Sequence, residues 1–193
     1  MEPLRVMLVD AAPDRAALLE DTLRADGHRV IATLGPEADL AARVRDLAPD
    51  IIIIDMDAPN RDVLEHMRSI SRDQPRPVVM FAEQSDSDTI NTAIRAGVSA
   101  YVVDGLSGKR LRAIMEVAVA RFQEFQALRR ELEETRLKLS ERKLVERAKG
   151  LLMTHRHMNE KEAFAALRKM AMDRNLRLGE AAQNVIAVFE MMG

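Results

Sequence analysis

The chain has 193 residues, 47% hydrophobic and 31% charged, enough for one large domain or two small ones. Its 29 Lys and Arg nearly balance 31 Asp and Glu, which excludes a uniformly basic nucleic-acid coat and an acidic disordered tail, and an aromatic content of 3% argues against a carbohydrate cleft or a base-stacking sheet. There is no cysteine for a disulfide, a thiolate metal site or a nucleophile, and neither a signal peptide nor an apolar run of the roughly 20 residues a membrane span needs, so a cytoplasmic protein is expected.

The first half alternates two periods. Short aliphatic runs stand at Arg5 to Val9, Arg29 to Thr33, Ile51 to Ile54, Val78 to Phe81 and Tyr101 to Val103. The third has no polar alternation and reads as a central parallel strand buried on both faces. Helical segments lie between them: Pro13 to Ala25, stopped by Gly27, then Pro36 to Leu47, Asp62 to Ser71, and Ser87 to Ala96, stopped by Gly97. Five strands each followed by a helix define an α/β fold with a doubly wound, five-stranded parallel sheet and helices on both faces.

After Gly108 the pattern becomes purely helical. From Arg110 to about His155 there is no proline, and Gly150 is the only glycine. Ala118, Phe125, Leu128, Leu132 and Leu139 fit heptad a/d positions, with Arg121 and Thr135 as poor members, so a long helix or short coiled coil is expected, with Phe125, Leu128, Leu132 and Leu139 as its dimer seam. Three helical stripes follow: Leu144, Ala148, Leu151 and Leu152; then Ala163, Phe164, Leu167 and Ala171 behind an Asn159/Glu162 capping box; then Leu178 to Phe189. They would bury their apolar faces together as a small three-helix bundle. The expected division is 1–121, a connector 122–140, and a bundle 141–193.

Charge changes at this boundary. Residues 1–121 hold 15 basic and 20 acidic side chains, residues 122–193 hold 14 and 11, and the stretch 141–177 holds 10 and 5. A local excess of +5 on a small bundle suits a polyanionic partner.

In a doubly wound sheet the functional crevice lies at the carboxyl ends of the strands, where Asp10 and Asp55 should converge. With the string Asp55-Met-Asp-Ala-Pro59 and the run Gly97 to Tyr101, the first 120 residues resemble the receiver domain of response regulators. The resemblance makes Asp55 the equivalent of the phosphoacceptor and Tyr101 the switch aromatic. That chemistry requires Mg²⁺ held by neighbouring carboxylates, plus a hydroxyl and a cation on the transferred oxygens. Here the family's second acid is Ala11, its switch hydroxyl is Ala82 and its lysine is Asp104. Asp14 and Asp57 are nearby acids, but neither matches the family position. A pseudo-receiver without a bound cofactor is therefore expected, working through protein contacts rather than phosphate.

The string from Glu141 to Met153, with Glu162 to Arg168, Ala171, Met172, Asn175, Ala181 and Ala182, resembles an ANTAR domain. The resemblance implies an RNA-binding antiterminator that recognises paired hairpins in leader mRNA. Arg72 to Pro77 and Ala118 to Phe122 extend it to NasT-type regulators of nitrate and nitrite assimilation, held inactive by a nitrate-sensing protein of the NasS type. On this reading Arg142, Lys149 and Arg156 share a helix face, Lys143 and Arg147 form a second basic row, and Arg168, Lys169, Arg174 and Arg177 extend the patch. These cations would neutralise phosphates, while Arg168 or Asn175 reaches a loop base. The competing reading for each is a surface pair with Glu141, Glu146 or Glu162. His155 and His157 are not placed as metal ligands, the methionines near the C-terminus read as core filler, and Gly150 reads as a site of close backbone packing or contact. Two RNA elements imply two reading heads, hence a homodimer. A phosphorylation-dependent regulator, a DNA-binding protein and a pure interaction adaptor remain the alternatives; no assembled nucleophile–base pair points to an enzyme.

Overall fold

A computed structural model describes residues 2–83, 85–103 and 108–192. The chain divides into two compact units, residues 1–126 and 127–193. The boundary between the units falls between residues 126 and 127.

The first unit contains β1 (Arg5–Asp10), α1 (Pro13–Ala25), β2 (Arg29–Leu34), α2 (Leu40–Leu47), β3 (Ile51–Met56), α3 (Arg61–Asp73), β4 (Val78–Ala82), α4 (Ser87–Arg95), β5 (Ala100–Val103) and the start of α5 (Gly108–Arg156). All strands are parallel, in the order β2-β1-β3-β4-β5. Strand alternation sorts the core into two layers. Met7, Val9, Ile52, Ile54 and Met80 pack with Leu40, Val44, Val63, Met67 and Ala93 of α2, α3 and α4. Val6, Leu8, Ile51, Ile53 and Phe81 face the other way, against Leu19 and Leu23 of α1 and Leu111, Met115 and Ala118 of α5. The four isoleucines of β3 are thus split between both layers, each burial being worth about 1.5–3 kcal/mol.

Local chemistry sets the ends. Asp39, Asn60 and Asp86 accept hydrogen bonds from Ala42, Val63 and Thr89 backbone N–H groups and so start α2, α3 and α4. Because Asp39 is the cap, α2 begins at Leu40 and not at Pro36 as the periodicity predicts. Gly97 has φ +104°, and a Cβ there would lie 2.6 Å from the Ser71 side chain, so no larger residue fits.

The second unit holds the remainder of α5, α6 (Glu160–Asp173) and α7 (Leu178–Met192). Val145, Ala148 and Leu152 of α5 meet Ala163 and Leu167 of α6 and Ala182, Val185 and Ile186 of α7. The capping box forms as expected: Asn159 accepts from the Glu162 N–H, and the Glu162 carboxylate accepts from the Asn159 N–H.

Three expectations about facing are corrected. Ala118, which fitted a heptad position, is fully buried in the core of the first unit, continuing the Leu111, Met115 stripe. Phe164 turns outward because Ala163, Leu167 and Ala171, four residues apart, own the buried side of α6. Met153, Met172 and Met191 are exposed and therefore are not core filler.

Candidate functional sites

In the first unit, the register of β1 and β3 sets Asp10 directly beside Asp55 at the carboxyl edge of the sheet. Both are buried. Proline at the start of α1 fixes the helix so that Arg15, in its first turn, turns back over the two carboxylates. Its Nη2 lies 3.1 Å from Asp10 Oδ1 and its Nε 3.2 Å from Asp10 Oδ2. The same Nε is 3.2 Å from Asp55 Oδ2, while Nη1 reaches Glu83 at 3.5 Å and Asp57 at 3.9 Å. Asp10 Oδ1 also accepts from the Ala12 N–H at 2.7 Å. One guanidinium therefore serves four carboxylates.

The arrangement is uneven. The Nε–H is directed at Asp10, so Asp55 Oδ2 receives positive charge but no hydrogen bond. Burial pushes the Asp55 carboxyl above its ordinary value; Arg15 opposes the shift, and Asp10, Glu83 and Asp57 add to it. Arg15 is held above its ordinary value, chiefly by its hydrogen bond to Asp10.

The donor set does not suit the divalent cation that a receiver would hold here. A methyl group stands at Ala11 in place of a second acid, and the guanidinium covers both buried carboxylates. Ala82, in the place of the switch hydroxyl, is fully buried and offers no hydrogen bond. The Tyr101 hydroxyl donates to Ser85 Oγ at 3.0 Å. Asp104 lies outside the described residues.

In the second unit the predicted basic residues fall into two groups. Lys149 is buried; its Nζ donates to Glu160 at 2.7 Å and to both Glu146 oxygens at 3.0 and 3.1 Å. It joins α5 to the first turn of α6, and both glutamates hold it above its ordinary pKa, Glu160 first. The expected exposed face shared with Arg142 and Arg156 is corrected: the Lys149 side chain is buried and its amine is paired with two glutamates. Arg147 is exposed but bonded to Glu190 at 2.5 Å. Glu141 caps the start of α7 by accepting from the Gly179 N–H.

Arg142, Lys143, Arg156, Arg168, Lys169, Arg174 and Arg177 are exposed. Arg168 lines a cavity of about 440 Å³ with Phe164, Ala171, Met172, Asn175 and Leu176. Phe164, Arg168 and Met172 are four residues apart on α6 and share its outer face. Asn175, at φ +52°, turns the chain at the cavity's edge. Phe164 and Met172 are the members that sequence reading missed; the 163, 167, 171 spacing already assigned the inner face and left 164 outside. His155 stacks on Phe189 with ring centroids 4.9 Å apart. Gly150 is exposed, and a Cβ there would meet nothing, so close packing within the chain does not explain it.

A parallel five-stranded sheet with paired aspartates at its carboxyl edge, followed by a helical bundle, defines the response-regulator class. The response regulator receiver domain matches residues 6–116 and the ANTAR domain residues 133–186, and the chain belongs to the regulators that join the two, an architecture of the NasT type. It is similar to the transcriptional regulatory protein PdtaR of Mycobacterium tuberculosis, 34% identical over 187 residues, which cover 95% of this chain and 90% of that protein. It is also similar to the nitrate regulatory protein of Klebsiella oxytoca, 48% identical over 65 residues, or 34% of this chain and 16% of that protein. Among solved structures, the receiver domain of a modulated diguanylate cyclase from Desulfovibrio desulfuricans G20 superimposes with a TM-score of 0.53 at 20% identity, over 63% of this chain and 98% of that one, and so shows the fold. No helix among the described residues is long and apolar enough to cross a membrane.

Proposed function

We propose that this chain is a transcription antiterminator that binds paired hairpins of a leader mRNA through its bundle. The observation that carries the reading is the outer face of α6, where Phe164 and Met172 flank Arg168 and Asn175 around an open cavity within the matched ANTAR domain. An unstacked loop base needs an apolar or aromatic surface on its face and a few polar groups on its edge, which is what this cavity offers. Arg142, Lys143, Arg156, Lys169, Arg174 and Arg177 supply exposed cations for the phosphates.

Phe125, Leu128, Leu132 and Leu139 are exposed on α5, and a second copy of the helix covering them gives the dimer that two hairpins require. The similarity to a nitrate regulatory protein supports control of nitrate and nitrite assimilation genes, with a nitrate-sensing partner that masks the bundle until its ligand arrives.

The test is a titration of the full chain with a leader RNA carrying two small hairpins, against one with scrambled loops, at two salt concentrations. Loop-dependent binding that salt weakens is expected. Arg168→Ala should lose tenfold or more of the affinity and most of the loop preference, on the order of the 1–3 kcal/mol of one base contact. Lys143→Ala should weaken both RNAs alike and reduce the salt slope by about one. Equal binding to both RNAs, or none, would overturn the reading. Light scattering that finds a monomer with and without RNA would remove the dimer.

A further inference from the structure

Four carboxylates cluster at the edge of the receiver sheet, and the two buried ones, Asp10 and Asp55, need a compensating charge. Asp10 and Asp55 are withdrawn from water and stand side by side in register, and Asp57 and Glu83 approach from the surface. Neither Ala11, Ala12 nor Ala82 brings any compensating group on its side chain. Among the described residues, Arg15 is the only basic side chain paired with any of these four acids, and it reaches all four at once through Nε, Nη1 and Nη2. A planar guanidinium with five donors is suited to this, since it can face several carboxylates without losing its charge when buried.

We infer that Arg15 is the resident cation of this pocket, supplying from within the chain the positive charge that the receiver architecture otherwise draws from a divalent metal. The consequence is a receiver surface whose state does not depend on metal supply. The same guanidinium lies 3.2 Å from Asp55 Oδ2. That Oδ2 accepts no hydrogen bond shows that the guanidinium is seated for Asp10 and for charge balance, not to hold Asp55 as a hydrogen-bonded partner.

The experiment uses the full chain with Mn²⁺ followed by electron paramagnetic resonance and Mg²⁺ followed by thermal unfolding. Wild type should show no saturable Mn²⁺ site through the millimolar range and no change in Tm with Mg²⁺. Arg15→Gln, a neutral replacement of similar reach, should unfold at a lower temperature, gain a saturable Mn²⁺ site, and recover much of its lost Tm when Mg²⁺ is added. A saturable site in wild type, or no gained site in Arg15→Gln, overturns the assignment. Should the variant not fold, the wild-type chain labelled with ¹⁵N decides: the Arg15 Nε–H signal should be sharp, slow to exchange and unmoved by Mg²⁺. A signal shifted or broadened by Mg²⁺ overturns the proposal as surely.

Discussion

Each unit holds one basic side chain among carboxylates, yet the two arrangements bury opposite partners. In the receiver, Arg15 keeps 29% of its side-chain surface while Asp10 and Asp55 keep 1% and 4%. In the bundle, Lys149 keeps 9% while Glu146 and Glu160 keep 57% and 71%. The desolvated charge is negative in one case and positive in the other. An ion pair costs most to break when the partner left behind is the buried one, because that group can no longer return to water. Arg15 is therefore needed by what it neutralises, whereas Lys149 is the group that needs neutralising.

Removing the cation from each site should separate them. Arg15→Ala leaves two adjacent buried carboxylates and should cost about 3 kcal/mol, as loss of one partner of a buried pair does. Lys149→Ala leaves two exposed glutamates that hydrate freely, so its loss of Tm should be less than half as large. Thermal unfolding of the two variants side by side decides the matter; equal losses would mean that burial does not distinguish the sites. Lys149→Ala also bears on RNA. With its amine tied to Glu160 and Glu146, its replacement should change affinity much less than Lys143→Ala does.

The acids should respond to pH with opposite signs. Burial raises Asp55 above its ordinary 3.8, so the folded chain keeps a proton there at a pH where the unfolded chain has lost it. Stability from this group falls as pH climbs from 3.8 through the raised folded value. Asp55→Asn removes that charge penalty and should stabilise the chain at neutral pH. The gain should shrink as pH is lowered toward 3.8. Glu160 behaves the other way: Lys149 holds it below its ordinary 4.5, so its contribution is present above 4.5 and fades as pH drops through the lowered value. Unfolding of wild type, Asp55→Asn and Glu160→Gln across pH 3–7 would show both slopes, and a parallel pair of curves would contradict the assignment of one of them.

Much of this was legible in the residues, and the exceptions have physical reasons. Alternating aliphatic runs, helix stops at Gly27 and Gly97, and the proline-free stretch after Gly108 carried the order of elements, since backbone periodicity is written in every second or fourth position. Asp10 and Asp55 were legible as a pair because strand ends in this topology converge. Arg15 was not. It sits beside Ala16 at the margin of the Ala16, Leu19, Leu23 stripe, and the reach of a long side chain back over a strand end leaves no periodic trace. Lys149 could have been placed correctly. Val145, Ala148, Lys149 and Leu152 stand at i, i+3, i+4 and i+7, the pattern of a buried face, whereas its spacing from Arg142 and Arg156 suggested a shared exposed one. Ala118 is the same lesson, claimed by a heptad although Leu111 and Met115 already placed it in the sheet's core.

The smallest effect contrasts two glycines. Gly97 in the receiver is required by its positive φ and by Ser71; Gly150 in the bundle lies inside α5, exposed, with open space where a Cβ would go. Glycine inside a helix costs roughly 0.5–1 kcal/mol relative to alanine, and nothing within the chain offsets that at position 150. Gly150→Ala should therefore raise stability by about that amount. It follows Lys149 on a helix whose exposed cations face solvent, so the bare backbone is open to close approach by a ligand, and RNA affinity should fall as stability rises. A variant that is more stable and binds RNA unchanged would show that the glycine plays no part in RNA contact, and on α5 the interface would then rest on its exposed cations.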